Sequence, residues 1–160
     1  MKAAILFRKL VLISSLLALI VVVLGAYVRL SDAGLGCPDW PGCYGTLTVP
    51  ESAEALAKAE QSFKAKVHVG KAWKEMLHRY IAGSLGILVL LICVSAWMGR
   101  AHLRTSPWLS TALLVLIGFQ AMLGMWTVTL LLKPAVVSAH LIGGMSTLAL
   151  LVWIAHRHWG

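Results

Sequence analysis

Acidic residues are scarce in this chain: six among 160, against fourteen lysines and arginines. Charge of either sign is thin, at 12% of residues, while 59% are hydrophobic and the mean hydropathy is +0.84. So few charges cannot cover the surface of a soluble domain, and that class is excluded. Internal repeats and low-complexity tracts are absent as well. Cysteine is limited to Cys37, Cys43 and Cys93. A thiol oxidase in a four-helix bundle normally needs a second exported pair, or C-x-x-C spacing, to relay oxidising equivalents to a quinone. Neither is present, and the turn from Lys133 to Ala135 holds no cysteine, which speaks against that class. No A-x-A site follows the first apolar run, so despite the basic Lys2, Arg8 and Lys9 it reads as a retained helix, not a cleaved signal.

What the chain does contain is four uncharged runs, 10–28, 80–98, 108–132 and 136–155. Each reaches the roughly 17–25 residues that cross a hydrocarbon core at about 1.5 Å per residue. The expected fold is an all-α membrane protein, a bundle of four transmembrane helices in one domain over residues 1–160. The connections around 99–107 and at Lys133-Pro134 are short, which forces antiparallel neighbours and up-down order. Ser106-Pro107 makes an N-cap and N1 pair for the third span.

The net charge of +8 would suggest nucleic acid in a soluble chain. Here the cations sit in loops and at helix ends, where topology and lipid headgroups account for them, so no nucleic-acid partner is expected. Lys2, Arg8 and Lys9 precede the first span and only Arg29 closely follows it, which favours cytoplasmic termini. The second span disagrees, with Lys64, Lys66, Lys71, Lys74 and Arg79 before it and Arg100 and Arg104 after. The first span is given the greater weight, because long loops translocate largely regardless of charge.

On that topology the long first loop, about 29–79, is exported. Residues 31–45 are rich in glycine and proline and read as tight irregular structure. Glu51–Val67 reads as a short surface helix: Leu56, Ala59, Phe63 and Val67 share a face, and Glu54–Lys58 and Glu60–Lys64 are favourable i,i+4 pairs. Phe63 either points down to the membrane or belongs to an ordinary amphipathic loop helix.

Two histidines carry the candidate chemistry. His78 lies just before the second run and His140 four residues into the fourth, and both runs go from outside to inside. Their imidazoles therefore meet the outer leaflet at matched depth, suited to be the axial ligands of one haem iron. Ala82 and Gly86 share a helix face with His78, and Gly143, Gly144 and Thr147 one with His140, leaving space for a flat macrocycle. Such small residues also serve ordinary helix packing in lipid. Glu75, three residues before His78, either polarises groups beside the metal and takes protons from a carbon being oxidised, or is a solvated acid at a helix N-terminus. Arg29 and Arg79 either neutralise haem propionates or anchor the interface.

Cys37 and Cys43 bracket five residues in the exported loop, where a disulfide is permitted; redox activity is the alternative. Cys93 reads as a small buried apolar residue. Gln120, Gly124 and Thr127 share a face of the third span, where Gln120 is assigned to helix–helix hydrogen bonding first and site lining second. His68 and His102 read as solvated, and His156 and His158 as weak metal binders at most.

The stretch Gly25-Ala26-Tyr27-Val28-Arg29-Leu30-Ser31-Asp32-Ala33-Gly34-Leu35-Gly36-Cys37-Pro38-Asp39-Trp40-Pro41-Gly42-Cys43-Tyr44-Gly45 resembles the first outer loop of the haem A synthase family. Glu75-Met76-Leu77-His78-Arg79 resembles its E-x-x-H-R element, and Gly118 through Gly124-Met125-Trp126-Thr127-Val128 to His140-Leu141 its third and fourth helices. The resemblance implies stepwise oxidation of a methyl group of haem O to the formyl group of haem A, for cytochrome oxidase biogenesis. It implies His78 and His140 as axial ligands, Glu75 as catalytic acid and Cys37–Cys43 as a disulfide. Haem B, haem O or haem A is then the cofactor.

Members of that family usually have eight spans in two similar halves, and this chain resembles the N-terminal half. A second copy or a half-length subunit is the expected partner, with haem O synthase and cytochrome oxidase as further ones. The expected place is a prokaryotic cell membrane. The alternative is a b-type cytochrome or haem-binding oxidase assembly subunit without chemistry of its own.

Overall fold

The structure, a computed structural model, describes residues 2–100 and 106–159. His102 and Arg104 lie outside the described residues. Five helices follow in order: α1 (Lys2–Leu30), α2 (Ala53–Phe63), α3 (Val69–Met98), α4 (Pro107–Thr129) and α5 (Pro134–Trp159). All but α2 are long and apolar enough to cross a membrane. The chain is an all-α integral membrane protein built on a four-helix bundle.

The helices are not coextensive with the uncharged runs. Helix α3 begins eleven residues before Tyr80, so Glu75, His78 and Arg79 all stand on helical backbone. Its 30 residues extend about 45 Å, longer than a hydrocarbon core of about 30 Å. Helix α4 stops at Thr129, where the uncharged run continues to Leu132. Leu131 and Leu132 take positive φ values of 50° and 58°, turning the chain sharply toward Pro134. Pro107 occupies the first turn of α4 behind Ser106, whose extended backbone sits at the N-cap although its hydroxyl makes no capping bond.

Each long helix packs on two neighbours in the ring order α1, α3, α4, α5. Every neighbouring pair is antiparallel. The two remaining pairs are diagonals: α3 faces α5 across the bundle, and α1 faces α4. Away from the long loop the interior is filled by Phe7, Val11, Val89, Ile92, Leu113 and Leu151, all fully buried. Leu16, Val23, Ile87, Val115 and Ile142 point outward, as expected of helices that satisfy their own backbone groups and turn apolar side chains to lipid.

A second apolar cluster lies in the long loop, where Cys37, Cys43, Tyr44, Val49, Ala59 and Val67 pack on Ala72 and Met76 of α3. Ser52 caps α2 by accepting from the Ala55 N–H at 3.2 Å, and Lys64 ends it in the left-handed region. The apolar face of α2 meets this cluster: Ala59 is buried, and the Phe63 ring, still exposed over about a third of its surface, meets Tyr44 edge-on at 5.4 Å. Neither the Glu54–Lys58 nor the Glu60–Lys64 ion pair forms among the described residues. Glu60 instead accepts from the Val67 N–H at 3.1 Å, holding the chain as it leaves α2.

Candidate functional site

One layer of the bundle near the long loop is made by four residues, one from each long helix. His78 comes from α3 and His140 from α5, the parallel diagonal pair. Gly25 comes from α1 and Gly124 from α4. Each imidazole lies against a glycine. A Cβ at Gly25 would come within 3.1 Å of His78 Cε1, and one at Gly124 within 3.4 Å of His140 Cε1. Both rings are half-buried and near enough to interact electrostatically. His78 Nδ1 is fully buried with no hydrogen-bond partner among the described residues. An unpaired buried nitrogen is costly, so this ring is held in place by packing alone.

The small residues beside the histidines divide into two kinds. Nothing lies within 4 Å of a Cβ built on Gly86, two turns along α3 from His78. That face is open. Gly143 is different: its side-chain position is taken by Gln120, whose amide end would sit 1.6 Å from an added Cβ. Thr147 is buried and donates to the Gly143 carbonyl at 2.9 Å. The expectation of free space along α5 therefore fails at Gly143, because a polar side chain in a span takes whatever backbone partner it can reach. Of the four-residue layer, sequence reasoning named the histidines and missed the glycines' part. The signal was present in Gly124, one turn from Gln120 on the same helix face.

Above this layer the loop is fastened to α3. The buried Glu75 carboxylate accepts the Cys37 N–H at 2.9 Å and forms an ion pair with Arg79. The Arg79 guanidinium also donates to the carbonyls of Asp39 at 2.9 Å and Gly42 at 2.6 Å. Arg79 is thus committed to the loop. Arg29, at the end of α1, is exposed and makes no side-chain ion pair among the described residues.

Cys37 and Cys43 are joined in a disulfide, and both are fully buried. Asp39 closes the same small loop, its two oxygens accepting the N–H groups of Tyr44 at 2.6 Å and Gly45 at 2.7 Å. Gly36 lets the loop backbone lie on α3, since a Cβ there would come within 2.6 Å of the Lys71 carbonyl carbon. Leu132, in the turn before α5, reaches Gly34, so both connections at this end touch.

Two ionisable loop groups are shifted. The Lys71 ammonium, 2.7 Å from Asp32, holds that carboxyl below the usual carboxylate range through its hydrogen bond and charge. Burial pushes the Tyr44 phenol up, helped by the negative charge of Asp39.

Cys93 is buried in α3 with its sulfur 3.7 Å from Thr111 Oγ1. His68 is exposed at the N-cap of α3, and His158 packs edge-on against Phe7 at 4.8 Å, at the far end of the bundle. No cluster of three or more His, Cys, Asp or Glu side chains suited to a bare metal ion occurs among the described residues. Two imidazoles alone suit an ion that brings its own equatorial ligands.

Fold and site together define a four-helix integral membrane protein with two interior histidines in one layer beneath a disulfide-closed loop. The chain belongs to the COX15-CtaA family, described as cytochrome oxidase assembly protein, whose model matches residues 8–160. It is 49% identical over 147 residues to a protein of Shewanella oneidensis named heme A synthase, covering 91% of this chain and 43% of that relative. Heme A synthases of Alkalihalophilus pseudofirmus and Bacillus cereus are 30% and 33% identical over 139 and 132 residues, covering 86% and 82% of this chain. The chain spans about two fifths of the length of these curated relatives: 43%, 41% and 37%. No solved structure matches it.

Proposed function

We propose that this chain binds one haem between His78 and His140 and takes part in oxidising a methyl group of haem O to the formyl group of haem A. One observation carries the reading: the four-residue layer pairs imidazoles on one diagonal with glycines on the other. Gly25 of α1 and Gly124 of α4, with no side chains of their own, let the His78 and His140 rings pack against those helices. The unpartnered His78 Nδ1 and the open face at Gly86 fit the same group. Relatives named heme A synthase supply the reaction class.

A haem bound here would supply electron transfer, or be the substrate itself. The residues of this chain hold and orient it. His78 and His140 are the proposed axial ligands, and Arg29, without an ion pair among the described residues and close to the interface, is the proposed partner of a propionate. Arg79 acts at one remove by fixing the loop that roofs the site. Glu75, one turn from His78, is the proposed acceptor for protons released as the methyl carbon is oxidised. On this reading the disulfide loop is exported and both termini are cytoplasmic, in the cell membrane of a prokaryote. A second copy or a half-length subunit is the proposed partner. Haem O synthase or cytochrome oxidase would be neighbours in the pathway of delivery.

A second reading is favoured by the bonding of Glu75. Its carboxylate is already engaged by Arg79 and the Cys37 N–H, which suits a structural clasp in a haem-binding oxidase assembly subunit without chemistry of its own. Extraction and mass measurement of pigments from cells producing both haem O and this chain separates the two. Haem A in the wild type, and its loss in Glu75→Ala with haem retained, supports the enzyme. Bound haem with no haem A supports the assembly subunit.

A further inference from the structure

The Gln120 side chain is buried inside α4 and lies across one turn of α5. With the amide oriented so that donors meet acceptors, its nitrogen donates to the His140 carbonyl at 3.0 Å and to His140 Nδ1 at 2.8 Å. Its oxygen accepts from the Gly144 N–H at 3.0 Å. Only a glycine at 143 leaves room for this approach, since a Cβ there would fall 1.6 Å from the amide oxygen in this orientation and 2.8 Å from Cδ. One side chain thus grips both the ring of His140 and the backbone that carries it.

We propose that Gln120 is the positioning residue for His140, fixing the ring so that Nε2 is the nitrogen presented to iron. The proposal rests on the reading of His140 as a haem ligand and extends it. Ligation through Nε2 requires the imidazole proton on Nδ1, and a protonated Nδ1 requires an acceptor. A carboxamide carries both a donor and an acceptor, so after a half-turn the Gln120 oxygen can accept from Nδ1–H, at the cost of its bonds to the His140 carbonyl and the Gly144 N–H. It donates to a bare Nδ1 in the haem-free protein and accepts from Nδ1–H once Nε2 is ligated. Glutamate offers the acceptor; leucine, of similar length, offers neither. The opposite ring has no such support, because His78 Nδ1 lacks a partner among the described residues. The two ligands are therefore inequivalent, and His140 owes its placement to a residue on another helix.

The test uses the full chain loaded with haem B, reduced with dithionite and exposed to carbon monoxide, which binds iron only where an axial imidazole yields. Gln120→Leu is expected to bind carbon monoxide roughly 10–100-fold faster than wild type, the range typical when a group orienting a metal ligand is removed. Gly143→Ala, which displaces the amide without altering it, is expected to reproduce that gain and keeps the test open if Gln120→Leu fails to fold. Gln120→Glu is expected to stay near the wild-type rate. Unchanged rates in Gln120→Leu and Gly143→Ala overturn the proposal. Equal gains in Gln120→Leu and Gln120→Glu also overturn it, because a residue needed only for helix packing would not distinguish them. His140→Ala tells the two levels apart: an unaltered spectrum in that variant removes the ligand itself, whereas a lost spectrum with unmoved Gln120 variants removes only the positioning role.

Discussion

The Glu75 carboxylate accepts the backbone N–H of Cys37 at 2.9 Å across 38 positions of sequence. That bond joins the first residue of the disulfide to the helix that carries His78, so loop and site are mechanically one unit. Glu75→Ala would leave the buried Arg79 charge without its carboxylate, a loss of about 3 kcal/mol in loop docking. The expected outcome is faster proteolytic cleavage within residues 31–50 of the detergent-solubilised chain. Glu75→Gln keeps an acceptor for the Cys37 N–H and should fall between Ala and wild type. Identical cleavage rates in all three would remove the clasp from the account.

Gly25 is predicted to be intolerant of any larger residue because His78 occupies its side-chain space. Gly25→Val would force the imidazole from its place at an overpacking cost of about 2 kcal/mol, roughly 30-fold in haem affinity. Gly83, on the same helix as His78, faces open space, and Gly83→Ala should leave haem binding unchanged. Competition for haem B against a soluble haem-binding protein measures both. Equal affinity in Gly25→Val and wild type would contradict the packing argument.

Tyr44 gives the loop a pH dependence with a definite sign. Its phenol titrates higher in the folded chain than in an unfolded one, chiefly because burial opposes the phenolate. The contribution to stability is complete below the unfolded value of about 10 and is lost as the pH rises through the folded value. Alkaline titration should therefore open the loop of the wild type, with a late-ionising tyrosine visible in the ultraviolet. Tyr44→Phe should remove that late transition and flatten the alkaline loss. A wild type whose three tyrosines all ionise at the ordinary value would refute the assignment.

Much of the bundle was legible in the sequence because a helix in lipid must announce itself through an uninterrupted apolar run. Its ends were not. The charged residues Lys71, Lys74, Glu75 and Arg79 hid the first turns of α3, because there the helix continues beneath the loop and its charges are met by Asp32, Cys37 and loop carbonyls. Leu130, Leu131 and Leu132 are as apolar as any membrane residue, yet a turn had to be made before Pro134 and they make it. Phe63 left membrane contact and ordinary loop packing both open; the tertiary structure puts Tyr44 beside it. At the site, the histidines were legible because imidazoles in apolar runs are rare. Which diagonal each helix occupies depends on packing, so the pairing of Gly25 with His78 and of Gln120 with His140 became visible only in three dimensions.

The most direct measurement is the absorption spectrum of purified protein, oxidised and reduced, for wild type, His78→Ala and His140→Ala. A low-spin haem with two imidazole ligands is expected in the wild type, and its loss in either variant. A wild-type spectrum that survives unchanged in both variants would contradict it.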